Sequence, residues 1–369
     1  MQWYEVSNID EIDSPALLVF SDRIQHNIDT MIAQVGGNPE RLFPHVKTHK
    51  MAEVVKMQLQ AGIDKFKCAT IAEMEMTLAA GAKMVLIAYQ MTGPKIGRLL
   101  QLAKKYPTAH LSSLVDNVVS AQQLASAFAK ENLTANIYLD VNNGMHRTGC
   151  PLNEDTFGLI KEIHAMERLV LQGLHVYDGQ FRATSFAQRK KAGDLAFRPI
   201  YGLVDQVKST LGLDLAIING GSPAFTSAAM RKNVFCSPGT VLLWDAGYAE
   251  IVPELPAQWA AVLVTRIISK PTEGIVTVDL GHKSVAGENP MHHRVRFLNL
   301  KNYEAYKHSE EHLMLKVDNW EDLTVGDVLY GIPFHVCPTV ALHEEVHVIR
   351  NHVWEGNWSV VARKRKISV

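Results

Sequence analysis

Leu42-Phe43-Pro44-His45-Val46-Lys47-Thr48-His49-Lys50 is the stretch on which the reading of this chain turns. Its first half is apolar and its second half is dense in ionisable side chains. Leu42 to Val46 reads as a short buried strand, and Thr48 as the cap of a helix that runs through Met51, Val54, Val55 and Leu59. Lys47 then stands at the carboxyl end of a strand, between His45 and His49. Burial and neighbouring cations disfavour an ammonium ion, and a neutral amine is what Schiff-base chemistry needs. By itself the segment reads equally as a solvated charged loop, so its meaning depends on the rest of the chain.

Working outward, a rhythm of short apolar strands and helices appears. Lys65 to Thr70, Met84 to Ala88, His110 to Val115, Ala135 to Val141, Leu169 to Tyr177, Leu215 to Ile218 and Val234 to Cys236 all read as strands. Helical spacing or good helix formers fill most of the intervals, as at Ile71 to Ala80 and Phe186 to Leu211. With the Lys47 strand this makes about eight βα units, which imply a parallel sheet with right-handed crossovers closed into a barrel. After Pro253-Glu254-Leu255-Pro256 the pattern changes to β runs such as Ala261 to Val264, Ile275 to Val278 and Leu313 to Val317, split by Gly, Pro, Asn and Asp. The expected fold is therefore an α/β (β/α)8 barrel of the TIM type over residues 15–250, followed by an all-β domain over 251–369 together with 1–14. The strand Ala16 to Phe20 is left over before the barrel and can join the β-domain.

Composition narrows the function classes. The chain has 369 residues, 47% hydrophobic, with a formal charge of −1. Near-neutral charge argues against a nucleic-acid partner. No apolar run approaches the roughly 18 residues that span a bilayer. The start lacks the basic-then-apolar layout of a signal peptide, and four scattered cysteines without a CxxC pair suit a reducing cytoplasm.

In a parallel barrel the chemistry collects past the carboxyl ends of the strands. Those ends carry Lys47, then Asp140-Val141-Asn142-Asn143-Gly144-Met145-His146-Arg147-Thr148-Gly149, then His175-Val176-Tyr177-Asp178-Gly179, then Gly220-Gly221-Ser222 and Ser237-Pro238-Gly239-Thr240. Gly220-Gly221-Ser222 before Pro223 has the makings of a phosphate cradle, since glycines let backbone amides approach an anion at a helix start. An ordinary strand-to-helix turn also accounts for it. Gly239-Thr240, on the next strand, would complete the cradle at the recurrent phosphate position of such barrels. In the β-domain, His335 and Cys337 are two apart and would share a face of a strand, an imidazole and a thiolate suited to zinc. A buried cysteine beside a polar histidine is the plainer account of that pair.

Taken in order, Phe43 to Lys50, Gly144 to Gly149, Val176 to Gly179, Gly220 to Ser222, Ser237 to Thr240 and Pro333 to Thr339 resemble the motifs of the D-threonine aldolase and D-serine dehydratase family, and the resemblance covers nearly the whole chain. That family consists of pyridoxal 5'-phosphate enzymes with an alanine-racemase type of barrel and a β-domain. The resemblance implies that Lys47 is the Schiff-base lysine and shuttles the α-proton, with Lys50 the competing choice. It implies that Arg147 bonds the pyridine nitrogen, that Tyr177 touches the cofactor, that Gly220, Gly221, Ser222, Gly239 and Thr240 hold the phosphate, and that His45 tunes Lys47. His335 and Cys337 would be the protein ligands of a divalent metal, zinc or alternatively manganese or magnesium, which binds the substrate's β-hydroxyl as a Lewis acid.

The resemblance also sets the expected reaction. The aldolase branch typically shows His-x-Asp at the metal and the dehydratases more often His-x-Cys. Cys337 therefore points to β-elimination of a D-3-hydroxy amino acid to a 2-oxo acid and ammonia, with retro-aldol cleavage as the alternative. A racemase would need a second base from a partner subunit, for which Tyr303 or Tyr306 could serve. A non-catalytic pyridoxal-phosphate carrier of the same barrel type would lack residues 250–369. A homodimer acting on a small-molecule D-amino acid is the assembly the family implies.

Overall fold

The structure, a computed structural model, describes all of residues 1–369 and divides them into two compact units. One unit comprises residues 30–47, 52–239 and 364–369; the other comprises 1–29, 48–51 and 240–363. These bounds differ from the sequence division in four places, one of them the short segment Thr48–Met51, which groups with the β-domain. Residues 15–29 and 240–250 group with the β-domain, and Lys364–Val369 with the barrel.

The first strand, β1 (Ala16–Phe20), belongs to the β-unit. It pairs parallel with β16 and antiparallel with β10, and all five of its residues are buried. A strand covered on both faces needs no polar alternation, which is why its sequence reads as one continuous apolar run.

The barrel strands follow as β2 (Lys65–Cys68), β3 (Met84–Gln90), β4 (His110–Val115), β5 (Ala135–Asn142), the two-residue β6 (Cys150–Pro151), β7 (Leu169–His175), β8 (Ala216–Asn219) and β9 (Val234–Cys236). They pair parallel in the order β2-β3-β4-β5-β7-β8-β9, with β6 beside β5. The eighth stave is the Leu42–Val46 stretch, which joins the two open edges. Leu42 bridges to Cys236 and His45 to Lys67. Phe43 N–H donates to Cys236 O at 2.7 Å, Lys67 N–H to Pro44 O at 2.8 Å and Val46 N–H to Lys67 O at 2.9 Å. Pro44 has no N–H to give, so the expected regular strand is instead a broken stave held by single bridges. Phe43, Leu86, Leu114, Tyr138 and Ile218, from five staves, fill a layer of the interior.

The capping expectation also changes. The helix after Lys47 runs Ala52–Gln60, starting four residues beyond Thr48. Lys50 lies before it with a left-handed φ of 56°, so it is not a helical residue. Buried His49 supplies the local tie instead, its Nδ1 accepting from Met51 N–H at 3.1 Å.

The β-unit is built from β10 (Ala261–Thr272), β11 (Ile275–Val278), β12 (Val295–Phe297), β13 (Tyr303–His308), β14 (Leu313–Val317), β15 (Val328–Pro333), β16 (Glu345–Arg350) and β17 (Val353–Ser359). Their order is β13-β14-β11-β10-β1-β16-β17, with β15 pairing both β10 and β12. Its core packs Leu18, Phe20, Val262, Val264, Tyr330 and Ile332 against the amino-terminal Tyr4 and Val6. Helix Phe186–Leu211 is the longest, and no helix of the structure is long and apolar enough to cross a membrane.

Candidate active site

Four residues singled out from the sequence, His45, Lys47, Arg147 and Tyr177, line one cavity of about 250 Å³ at the carboxyl ends of the barrel strands. A larger cavity of about 570 Å³ lies at the opposite ends of β8 and β9, around Leu215, Ala216, Asn233 and Val234. Barrels of this kind do their chemistry at the carboxyl ends, and the smaller cavity is the one with converging ionisable groups.

Each wall of that cavity follows from local structure. Lys47 emerges directly after the broken stave, and its own N–H donates to His45 Nδ1 at 3.3 Å, which orients the imidazole. Arg147 comes from the loop after β5. That loop closes through Gly149, whose φ is +97° and where an added Cβ would stand 2.6 Å from Asn142 N. The Arg147 guanidinium lies over the Tyr177 ring, 4.7 Å from its centroid, a cation–π stack that fixes both side chains.

The floor of the cavity holds residues whose roles sequence reasoning missed. Lys67 on β2 is 3% exposed, and its Nζ lies 3.5 Å from His175 Nε2. His175 Nδ1 in turn lies 2.7 Å from Asp140 Oδ1. Burial, and then the Lys47 charge, bring the Lys67 ammonium down to about 7 against the pull of Asp178 and Asp140. Burial also lowers His175, which leaves its imidazole neutral. Burial works to raise Asp140, but the hydrogen bond from His175 outweighs it and holds the carboxyl below its ordinary range. The ionised Asp140 accepts from Nδ1–H, so Nε2 presents its lone pair to Lys67. A signal for Lys67 was present in the sequence: a lysine between Phe66 and Cys68 on a strand covered on both faces has no route to water.

The glycine cradle is occupied in an unexpected way. Gly221 N–H donates to Asp178 Oδ1 at 2.9 Å and Gly220 N–H to Asp178 Oδ2 at 3.3 Å. Asp178 is 1% exposed, and burial raises its carboxyl despite those amides and the Arg231 charge. A side-chain carboxyl of the chain itself thus already takes the amides where a phosphate was expected. Ser222 and Gly239 lie beside this turn, with Gly239 N–H donating to Ser222 Oγ at 3.1 Å. Thr240, the next residue in the chain, opens the 3-10 turn Thr240–Leu242.

His335 and Cys337 are not on a strand, which corrects the sequence reading. β15 ends at Pro333, and Val336–Leu342 is a helix with His335 as its first flanking residue. Pro338 suits a first helical turn, and Asp245 Oδ2 accepts from Val336 N–H at 3.1 Å to cap it. The two side chains still meet, because the turn curls back. Their hydrogen bond is the main reason His335 rises to about 9, with burial opposing it and Glu288 adding to it. The other ring nitrogen, Nδ1, lies 2.5 Å from Glu288 Oε1. Cys337 Sγ is 3.2 Å from Thr48 Oγ1 and 3.6 Å from Thr240 Oγ1. An imidazole paired with a thiol, and a carboxylate on the imidazole's far nitrogen, are residue types whose chemistry fits a divalent ion. No group of three or more His, Cys, Asp or Glu gathers to hold an ion. Tyr303, in the same unit, is held by packing, its hydroxyl accepting from Phe297 N–H at 2.9 Å.

Comparison with known proteins places this geometry. The chain belongs to the family of the alanine racemase N-terminal domain, whose model matches residues 19–237. The "Putative serine dehydratase domain" model matches residues 260–349. Both agree with the resemblance read from the motifs. The chain is 26% identical over 368 residues to 3-hydroxy-D-aspartate aldolase of Paracoccus denitrificans (strain Pd 1222), covering 96% of this chain and 92% of that one. It is 31% identical over 138 residues to D-threo-3-hydroxyaspartate dehydratase of Delftia sp. (strain HT23), 37% of this chain and 36% of that one. The crystal structure of D-threonine aldolase from Filomicrobium marinum superposes with a TM-score of 0.88 at 25% identity, covering 96% of each chain.

Proposed function

We propose that this protein is a pyridoxal-phosphate lyase, assisted by a divalent metal, that acts on D-3-hydroxy amino acids and cleaves them between Cα and Cβ. The observation that carries the reading is Lys47 facing a barrel-mouth cavity together with Arg147 and the Tyr177 ring. Lys47 supplies the amine that holds the cofactor, Tyr177 a flat apolar face, Arg147 a fixed positive charge, and Ser222 with Gly239 polar groups for its phosphate. Bound pyridoxal phosphate supplies an electron sink for the pair left on Cα. His335 and Cys337 would bind the metal and Glu288 would orient His335; the metal would polarise the β-hydroxyl.

Retro-aldol cleavage is the first reading because two relatives that align over 95–96% of this chain at 25–26% identity are named aldolases, whereas a D-serine dehydratase aligns over 93% of it at 21%. β-Elimination is the second reading, and the observation that favours it is the His335-x-Cys337 ligand pair. Incubation of the reconstituted protein with D-threonine, D-serine and D-3-hydroxyaspartate tests both. Glycine and an aldehyde support cleavage, 2-oxo acid and ammonia support elimination, and no turnover of any of them with cofactor and zinc or manganese present sinks the lyase reading. Chelation should abolish turnover, and metal add-back should restore it.

A further inference from the structure

We propose that Lys67 is a second working amine of this pocket, a general base for the substrate's β-hydroxyl, held in place by His175 and through it by Asp140. The inference rests on the lyase reading above and selects cleavage within it.

The geometry comes first. Lys67 projects from β2 into the same cavity as Lys47, and the one side-chain partner of its Nζ is His175 Nε2 at 3.5 Å. That contact uses one N–H direction and leaves the rest of the amine toward the cavity. Its support is built rather than incidental. Lys67, His175 and Asp140 come from three different staves and are all at most 5% exposed. A merely structural lysine buried this deeply would be expected to pair directly with a carboxylate. Here the carboxylate is spent on His175, and the lysine meets a neutral imidazole instead.

The charges around the amine explain why it can be neutral near pH 7. Lys47 and Arg147 push the proton off, Asp140 and Asp178 pull it on, and burial decides in favour of loss. His45, Tyr89 and Tyr177 also line the cavity. A base is most effective when its ordinary balance point lies near the working pH.

The step is a single proton transfer. The β-hydroxyl O–H bond breaks, an N–H bond forms on Lys67 Nζ, and the electron pair stays on oxygen. The ammonium so formed returns the proton to water once the product has left the cavity. Cleavage needs such a base at the hydroxyl, whereas elimination needs an acid there, because hydroxide is the leaving group.

The test uses the pyridoxal-phosphate-loaded, metal-loaded protein, with Lys67→Met and Lys67→Arg as variants. The parent should release aldehyde, with kcat rising along a limb near pH 7. Lys67→Met should lose that limb and at least 100-fold in kcat with KM changed less than threefold. Lys67→Arg keeps the charge but cannot deprotonate, so it should fail equally, whereas a structural cation would be rescued by it. A titration of 15Nζ-labelled lysines in the parent protein needs neither activity nor a folded variant, and should show one amine with its midpoint near 7. The proposal is overturned if no lysine titrates below about 9, if Lys67→Arg retains parental kcat, if Lys67→Met keeps the pH limb, or if the parent's product is a 2-oxo acid. Borohydride trapping of the cofactor on Lys47 is scored separately. If that label is absent, the underlying lyase reading fails, and the 15N titration still reports on Lys67 alone.

Discussion

Two lysines share one cavity, and their surroundings differ. Lys47 follows a broken stave and has His45 beside it, while Lys67 is carried on a regular strand and backed by His175 and Asp140. If Lys47 is the cofactor amine, Lys47→Ala should lose at least 1,000-fold in turnover, and borohydride should no longer fix cofactor to the protein, as mass spectrometry of the tryptic peptide will show. His49 offers a prediction on stability. Burial, and then the Lys50 charge, lower its imidazole to about 3 in the folded chain. Between that value and the ordinary one near 6.5 the unfolded chain binds the extra proton, so stability is lost as the pH falls through this window. His49→Gln should cost about 1–2 kcal/mol at pH 7 through the weakened tie to Met51. Urea unfolding at pH 7 and pH 4.5 should show a smaller acid loss in the variant than in the parent.

At the scale of elements, the turn after β8 is organised by a side chain from the end of β7. Asp178 accepts from the amides of Gly220 and Gly221, and Gly220 needs its freedom there, with φ at +68° and Ala228 Cβ only 2.9 Å from where its own Cβ would lie. Asp178→Asn places an NH2 or a weaker acceptor against those N–H groups. It should destabilise the protein by about 1–3 kcal/mol and weaken pyridoxal-phosphate binding several-fold, measured by denaturant titration and by cofactor fluorescence. Asp178→Glu, too long for the turn, should not restore either quantity. The pair proposed to hold the metal shows a second element-scale effect. A helix start, not a strand, brings His335 and Cys337 together, with Asp245 as the cap. Asp245→Ala should therefore lower metal affinity while His335 and Cys337 remain in the sequence, readable by zinc competition with a chromogenic chelator.

For the whole molecule, the last residues tie back onto the barrel unit. Ser368 N–H donates to Glu75 Oε2 at 3.0 Å, and Arg98 Nε–H donates to Val369 O at 3.0 Å. Burial works to raise Glu75, but hydrogen bonds from the Ser368 hydroxyl and amide, from Lys105 and from the Val369 amide outweigh it and hold the carboxyl below its ordinary range. Removing residues 364–369 takes away the Ser368 and Val369 donors and leaves Glu75 with Lys105, 2.9 Å from its Oε1. It should cost about 1–3 kcal/mol in thermal or denaturant unfolding, with the product of the reaction unchanged.

The βα rhythm, the switch to β runs after Pro256 and the ordered motifs at the strand ends were legible from the sequence, because hydrophobic period and turn chemistry are local. Lys47, Arg147 and Tyr177 could be singled out too, since they stand in motifs that carry the resemblance, and the structure brings them to one cavity. What the sequence could not assign was pairing. Whether Ala16 to Phe20 joined the barrel or the β-sheet depended on edges offered by β10 and β16, more than 240 residues away. The use of the Gly220 and Gly221 amides by Asp178, and the Lys67–His175–Asp140 line across three staves, likewise arise only when the barrel closes. A buried charge takes its character from groups brought to it by folding, and those groups are distant along the chain.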